Sequence, residues 1–177
     1  MLEERETRAA DAIERIKYND VTLTSVFLNS RRNTDADLAA LFDCLIAHPN
    51  VIKHLALCHT RMSDETISTL ARYLAISTTI EWLTVSHALV QKSFSVLAAA
   101  LRLNSSLRRL RMCCNSLTDT RSVDEALVAA LRFNPARPPH SKWALYTKAN
   151  EFRRLKAAAD ALGPPSMLEQ LRQSDRT

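Results

Sequence analysis

Apolar residues recur through much of the chain in one short frame. Leu107, Leu110 and Met112 stand at i, i+3 and i+5, with Asn115 at i+8. Upstream, the first three positions repeat in Leu23, Val26 and Leu28, in Ile52, Leu55 and Leu57, and in Ile80, Leu83 and Val85. Successive first positions lie 29, 28 and 27 residues apart. Between the frames the apolar spacing changes to three and four, the pattern of one helix face. These faces carry Leu38, Leu41, Phe42 and Leu45, then Ile67, Leu70, Ala71 and Leu74, then Phe94, Leu97, Ala98 and Leu101. A fourth, with Val123, Leu127 and Leu131, follows a capping-box pattern formed by Ser122 and Glu125. The helix ends repeat as well: Ala100 to Asn104 and Ala130 to Asn134 are nearly the same pentapeptide, and His48-Pro49-Asn50 closes the first helix similarly.

A strand frame and a helix recurring with a period of this length are the signature of leucine-rich repeats. The pattern therefore predicts an α/β fold, a short right-handed leucine-rich-repeat solenoid. A four- to five-stranded parallel sheet lines its concave side and helices line its convex side. Both ends of such a stack need covers. Residues 2–17 are predicted to form an N-terminal helix with Ala9, Ile13 and Ile16 in one stripe and Glu3, Glu4 and Glu6 near its positive end. After Asn134, the residues Pro135, Pro138 and Pro139 interrupt the pattern, and Trp143 with Leu145 offers a degenerate fifth strand. A helix with Phe152, Leu155, Ala159 and Leu162 on one face should close the far end, stopped by Gly163, Pro164 and Pro165. Residues 1–18 are thus read as a capping helix, 19–134 as four repeats, and 135–177 as a Pro-rich turn with a second capping helix, all in one structural domain.

Composition narrows the function more than the fold. The chain has 177 residues and a single Gly, which excludes a P-loop and a dinucleotide fingerprint. Its charged start, Met1 to Arg8, and the lack of any uncharged apolar run of about 20 residues argue against a leader and a membrane span. The expected location is the cytoplasm, including the cytoskeleton. Cys44, Cys58, Cys113 and Cys114 lack C-x-x-C spacing and are expected to be reduced. Residues 1–100 hold 10 Lys and Arg against 12 Asp and Glu, net −2, while residues 101–177 hold 14 against 7, net +7. An acidic partner is therefore expected to meet the C-terminal half.

Side chains alternate along a strand, so the residues between the buried positions face the concave side in columns. The columns are Ser25, His54, Trp82 and Arg109; Phe27, Ala56, Thr84 and Arg111; and Asn29, Cys58, Ser86 and Cys113. Cys58 and Cys113 fall two strands apart, roughly 9.6 Å at the usual strand spacing, beyond disulfide reach. His54, His59 and His87 with Cys58 lack the short ligand spacing of a zinc site, so no metal or cofactor is expected. No Ser, His and Asp set converges, and no enzymatic activity or small-molecule substrate is expected. Arg108, Arg109 and Arg111 beside Trp82 combine charge with an aromatic anchor, as binding hot spots do. With Phe27 and His54 from the same columns they form the candidate partner-binding set.

The run Ala12-Ile13-Glu14-Arg15-Ile16-Lys17-Tyr18-Asn19-Asp20, followed by Leu23-Thr24-Ser25-Val26-Phe27-Leu28-Asn29, resembles the start of the repeat domain of the tropomodulin and leiomodin family. Ile52-Lys53-His54-Leu55-Ala56-Leu57 with Thr60-Arg61 is similar to that family's second repeat, and the resemblance spans about residues 12 to 116. It implies repeats of the ribonuclease-inhibitor class. Family members cap the slow-growing end of actin filaments, so the resemblance also implies actin as a partner. The stretch Pro135 to Pro139 departs from the family's exit from its last strand. The first expectation is a non-catalytic protein-interaction module, a subunit or adaptor of an intracellular, cytoskeletal assembly whose partners present acidic surfaces. Two alternatives stand beside it: a nucleic-acid-associated subunit of a ribonucleoprotein that uses the basic half, and an actin pointed-end capper.

Overall fold

Five strands pair in parallel in chain order: β1 (Ser25–Asn29), β2 (His54–Cys58), β3 (Trp82–Ser86), β4 (Arg109–Cys113) and β5 (Lys142–Tyr146). This is a computed structural model, and it describes residues 7–29, 32–88, 91–113 and 142–146. The helices are α1 (Ala9–Lys17), α2 (Asp35–Ala47), α3 (Asp64–Ile76) and α4 (Gln91–Leu103), so each of the first three strands leads into a helix that returns to the next strand. Neighbouring helices pack on one another as neighbouring strands do, so the described repeats form one stack.

The apolar frame sets the inner face. Leu23, Val26 and Leu28, Ile52, Leu55 and Leu57, Ile80, Leu83 and Val85, and Leu107, Leu110 and Met112 are all buried. All twelve helix positions singled out in α2, α3 and α4 are buried against them. Period-two burial in the strands and period three-and-four burial in the helices thus meet in one core, where each covered Leu, Ile or Val contributes about 1.5–3 kcal/mol.

β2, β3 and β4 start in the same way. The Thr24 carbonyl accepts from the N–H groups of Lys53 (2.8 Å) and His54 (3.1 Å), Lys53 O from Glu81 (2.8 Å) and Trp82 (2.9 Å), and Glu81 O from Arg108 (2.8 Å) and Arg109 (2.9 Å). A polar side chain just ahead of the strand supports each turn. Asn50 Oδ1 accepts from Ile52 N–H, Ser77 Oγ from Ile80 N–H, and Asn104 Oδ1 from Leu107 N–H. At their starts, α2 carries a Thr34–Asp37 capping box and α3 is capped by Ser63. With no Gly available, the strand exits at His59 and His87 adopt left-handed φ angles of 54° and 51°. That conformation costs a residue with a Cβ roughly 1–2 kcal/mol, so the packed stack must hold it.

One expectation is corrected. The N-terminal helix begins at Ala9 rather than near residue 2, because Thr7 is extended beside β1: its N–H donates to Phe27 O (2.7 Å), and Phe27 N–H donates to Thr7 Oγ1 (3.3 Å). An edge strand otherwise leaves these groups unpaired, and Thr7 covers part of that edge. Ala12 is fully buried in the helix stripe, whereas Ile13 is only partly covered. Trp143 and Leu145 do lie in a strand, and β5 pairs in register with β4. The fourth helix with its Ser122–Glu125 box, the Pro135–Pro139 stretch, the C-terminal helix and Glu3, Glu4 and Glu6 lie outside the described residues.

Candidate functional site

The outward columns of the sheet are those the alternation predicts. Ser25 pairs with His54, His54 with Trp82, and Trp82 with Arg109; one row along, Phe27 pairs with Ala56, Ala56 with Thr84, and Thr84 with Arg111. Inner neighbours Val26, Leu55, Leu83 and Leu110 are buried, which directs the intervening side chains to the open face.

Along the first column the side chains touch in sequence. Ser25 Oγ lies 3.3 Å from His54 Nδ1. The His54 ring meets the Trp82 ring edge to face, with centroids 5.3 Å apart and planes at 72°. The Arg109 guanidinium then sits over Trp82, 5.3 Å from its centroid. This is within cation–π range, and a guanidinium packed on a ring keeps its in-plane N–H groups directed outward to accept a carboxylate pair. Trp82 is therefore half-buried and held from both sides on a rigid strand. A side chain ordered before binding has less entropy to lose on binding.

The structure brings together only part of the candidate set. His54, Trp82 and Arg109 form one contiguous row, and Arg111 stands two residues along β4 on the same face, exposed. Arg108 is exposed but lies ahead of β4, in line with Glu81 and Lys53, which pair with each other at 3.4 Å. Phe27 is three strands from Arg111, about 14 Å at the usual strand spacing, and does not join the Trp82 row. Lys142, which was not singled out, pairs with Arg109 by backbone register on β5. Its signal was available: it immediately precedes Trp143 and Leu145 as Arg109 precedes Leu110 and Met112.

Other chemistry is less developed. His59 and His87 stack at 4.2 Å with planes 12° apart. Nearly parallel rings direct their lone pairs in parallel planes, so the pair does not converge on one ion. Among the described residues no three His, Cys, Asp or Glu side chains gather as metal ligands, and no helix is long and apolar enough to cross a membrane. A shallow depression at the starts of α1 and α2 is lined by Arg8, Arg32, Asn33 and Asp37. Its buried amide, Asn33, already accepts from Ala9 N–H (2.7 Å) and donates to Asn29 O (2.9 Å), so it serves the fold.

No family model matches the chain, and no curated protein matches it. Solved structures do. The chain resembles leiomodin-1 actin-binding site 2 with a TM-score of 0.71 and 22% identity, over 93% of this chain and 92% of that one. It also resembles the tropomodulin C-terminal domain of Caenorhabditis elegans with a TM-score of 0.65 and 16% identity, over 87% of this chain and 92% of that one. The likeness establishes the leucine-rich-repeat fold of those domains.

Proposed function

We propose that the chain is a non-catalytic actin-binding module, a leucine-rich-repeat component of the actin cytoskeleton that acts at the slow-growing filament end. The observation that carries this is the likeness to leiomodin-1 actin-binding site 2 across nearly the whole of both chains. At 22% identity most side chains differ while the stack, its sheet and its open face persist, as expected where the scaffold serves to present a surface. The basic, aromatic-centred end of the sheet supports a protein contact over a chemical step. The test is functional. It is the rate of subunit addition at slow-growing ends of actin filaments whose fast-growing ends are blocked. The chain should slow elongation in a saturable manner. An elongation rate unchanged at saturating concentrations would remove the capping role.

A further inference from the structure

We infer that the open sheet face over β3 and β4 docks an acidic segment of a protein partner, with Trp82 as apolar anchor and Arg109 and Arg111 as donors. For the identity of that partner, actin, the inference rests on the function proposed above; for the chemistry of the face it does not.

Charge comes first. The described outward positions of β1 to β4 are Ser25, Phe27 and Asn29, His54, Ala56 and Cys58, Trp82 and Thr84, and Arg109 and Arg111, with Ser86 buried at the end of β3. None is Asp or Glu, and the only residues of fixed charge in these positions are the two Arg of β4. Both lie on β4, so positive charge gathers toward one end of the described face. Charges of one sign on a fixed surface select a partner of the other sign and raise its rate of encounter.

Spacing then sets how carboxylates can be met. Arg109 and Arg111 are alternate residues of one strand, so their Cα atoms lie about 6.6 Å apart along it. An acidic segment that presents carboxylates about 6 Å apart, at alternate positions of an extended chain or one turn apart on a helix, can lie along β4 with both guanidinium groups engaged. Beside that track Trp82 offers an apolar ring already held by His54 and Arg109. An aromatic centre flanked by Arg is the composition of a binding hot spot. A nucleic-acid strand would need successive bases to stack. The outward Phe and Trp of β1 to β4 are Phe27 and Trp82, two strands and one column apart, and the outward His54 ring already meets Trp82 edge to face, so these positions offer no run of open stacking platforms.

The test compares the intact chain with Arg109→Glu/Arg111→Glu, with Trp82→Leu, and with the charge-matched control Arg61→Glu/Arg72→Glu, which alters two exposed positions away from the face. Thermal melts verify that each variant is folded. Affinities for actin, for a polyglutamate peptide and for a single-stranded RNA oligomer are measured at two salt concentrations. The inference expects a loss of at least tenfold for actin and polyglutamate in the β4 double variant, a smaller loss for Trp82→Leu, little change in the control, and weaker binding at higher salt. Equal affinity and salt dependence in the β4 variant and the intact chain would overturn it, and so would a preference for RNA that the β4 variant abolishes. Polyglutamate binding that depends on Arg109 and Arg111, without actin binding by the intact chain, would uphold the acidic-segment face and remove actin as its partner. Binding to neither probe would overturn both.

Discussion

Arg109 on β4 lies over the indole of Trp82 on β3, and the two are direct cross-strand partners, with 5.3 Å between the guanidinium carbon and the ring centroid. An exposed pair of this kind is worth about 0.5–1 kcal/mol. A double-mutant cycle in urea with Arg109→Ala, Trp82→Ala and both changes together should return a coupling in that range. Strictly additive single effects would mean that the two side chains merely lie near one another.

Leu110 stands between Arg109 and Arg111 and is 1% exposed. Its burial is what turns its two neighbours outward. Leu110→Ala should lower stability by about 2–5 kcal/mol, read from chemical denaturation. A change below about 0.5 kcal/mol would contradict the register of β4.

Asn104 is 1% exposed and joins two repeats. Its amide donates to Leu74 O (2.7 Å) and Ser77 O (3.2 Å), while its Oδ1 accepts from Leu107 N–H (2.6 Å) and Ser106 N–H (3.0 Å). Asn104→Leu keeps the size and strands Leu74 O and the N–H groups of Ser106 and Leu107, while Ser77 O keeps the Ser106 hydroxyl as donor (3.1 Å), at a cost of about 3 kcal/mol or more, given about 1–3 for each buried group left without a partner. Amide exchange at Leu107 should quicken in the variant. An unchanged exchange rate would mean that the connector does not depend on this side chain.

Acid should loosen one specific turn. Asp20 is held down to a pKa of about 2, from an ordinary 3.8, first by the Thr22 hydroxyl and then by Arg15 and the Thr22 backbone. Arg15 Nε donates to its Oδ2 at 2.7 Å. Because the folded-state value is depressed, the stabilisation is present above pH 4 and is lost as the pH falls through the folded value near 2. The Asp20 carboxyl resonance should therefore titrate near 2 in the intact chain. In Arg15→Ala it should move upward toward 3.8. A midpoint at the ordinary value in the intact chain would contradict the turn geometry.

Much of this architecture was legible because two periods, two for strands and three to four for helices, alternate without ambiguity in the apolar frame. Leu55 and Leu57 could face only the core, so His54, Ala56 and Cys58 could face only outward, and the columns followed. Asn104 was visible as part of a repeated pentapeptide. Its role was not, because its acceptors Leu74 O and Ser77 O lie 30 and 27 residues away. The start of α1 was misplaced because helical charge patterning cannot register Thr7 pairing with Phe27 across 20 residues. Three candidate arginines read as one cluster in sequence, yet the strand start separates Arg108 from Arg109 and Arg111. The partner was the least legible element, since outward residues are chosen for what they meet rather than for the stack.

The most direct measurement is the equilibrium binding of the intact chain to purified actin, monomeric and filamentous, by titration and by co-sedimentation at low and physiological salt. An actin-binding module with a basic, aromatic-centred face should bind saturably to at least one form and more weakly as salt rises, since exposed charge pairs are screened over about 8 Å at physiological ionic strength. Failure to bind either form at low salt, by a chain whose melting transition shows it to be folded, would contradict the proposed function.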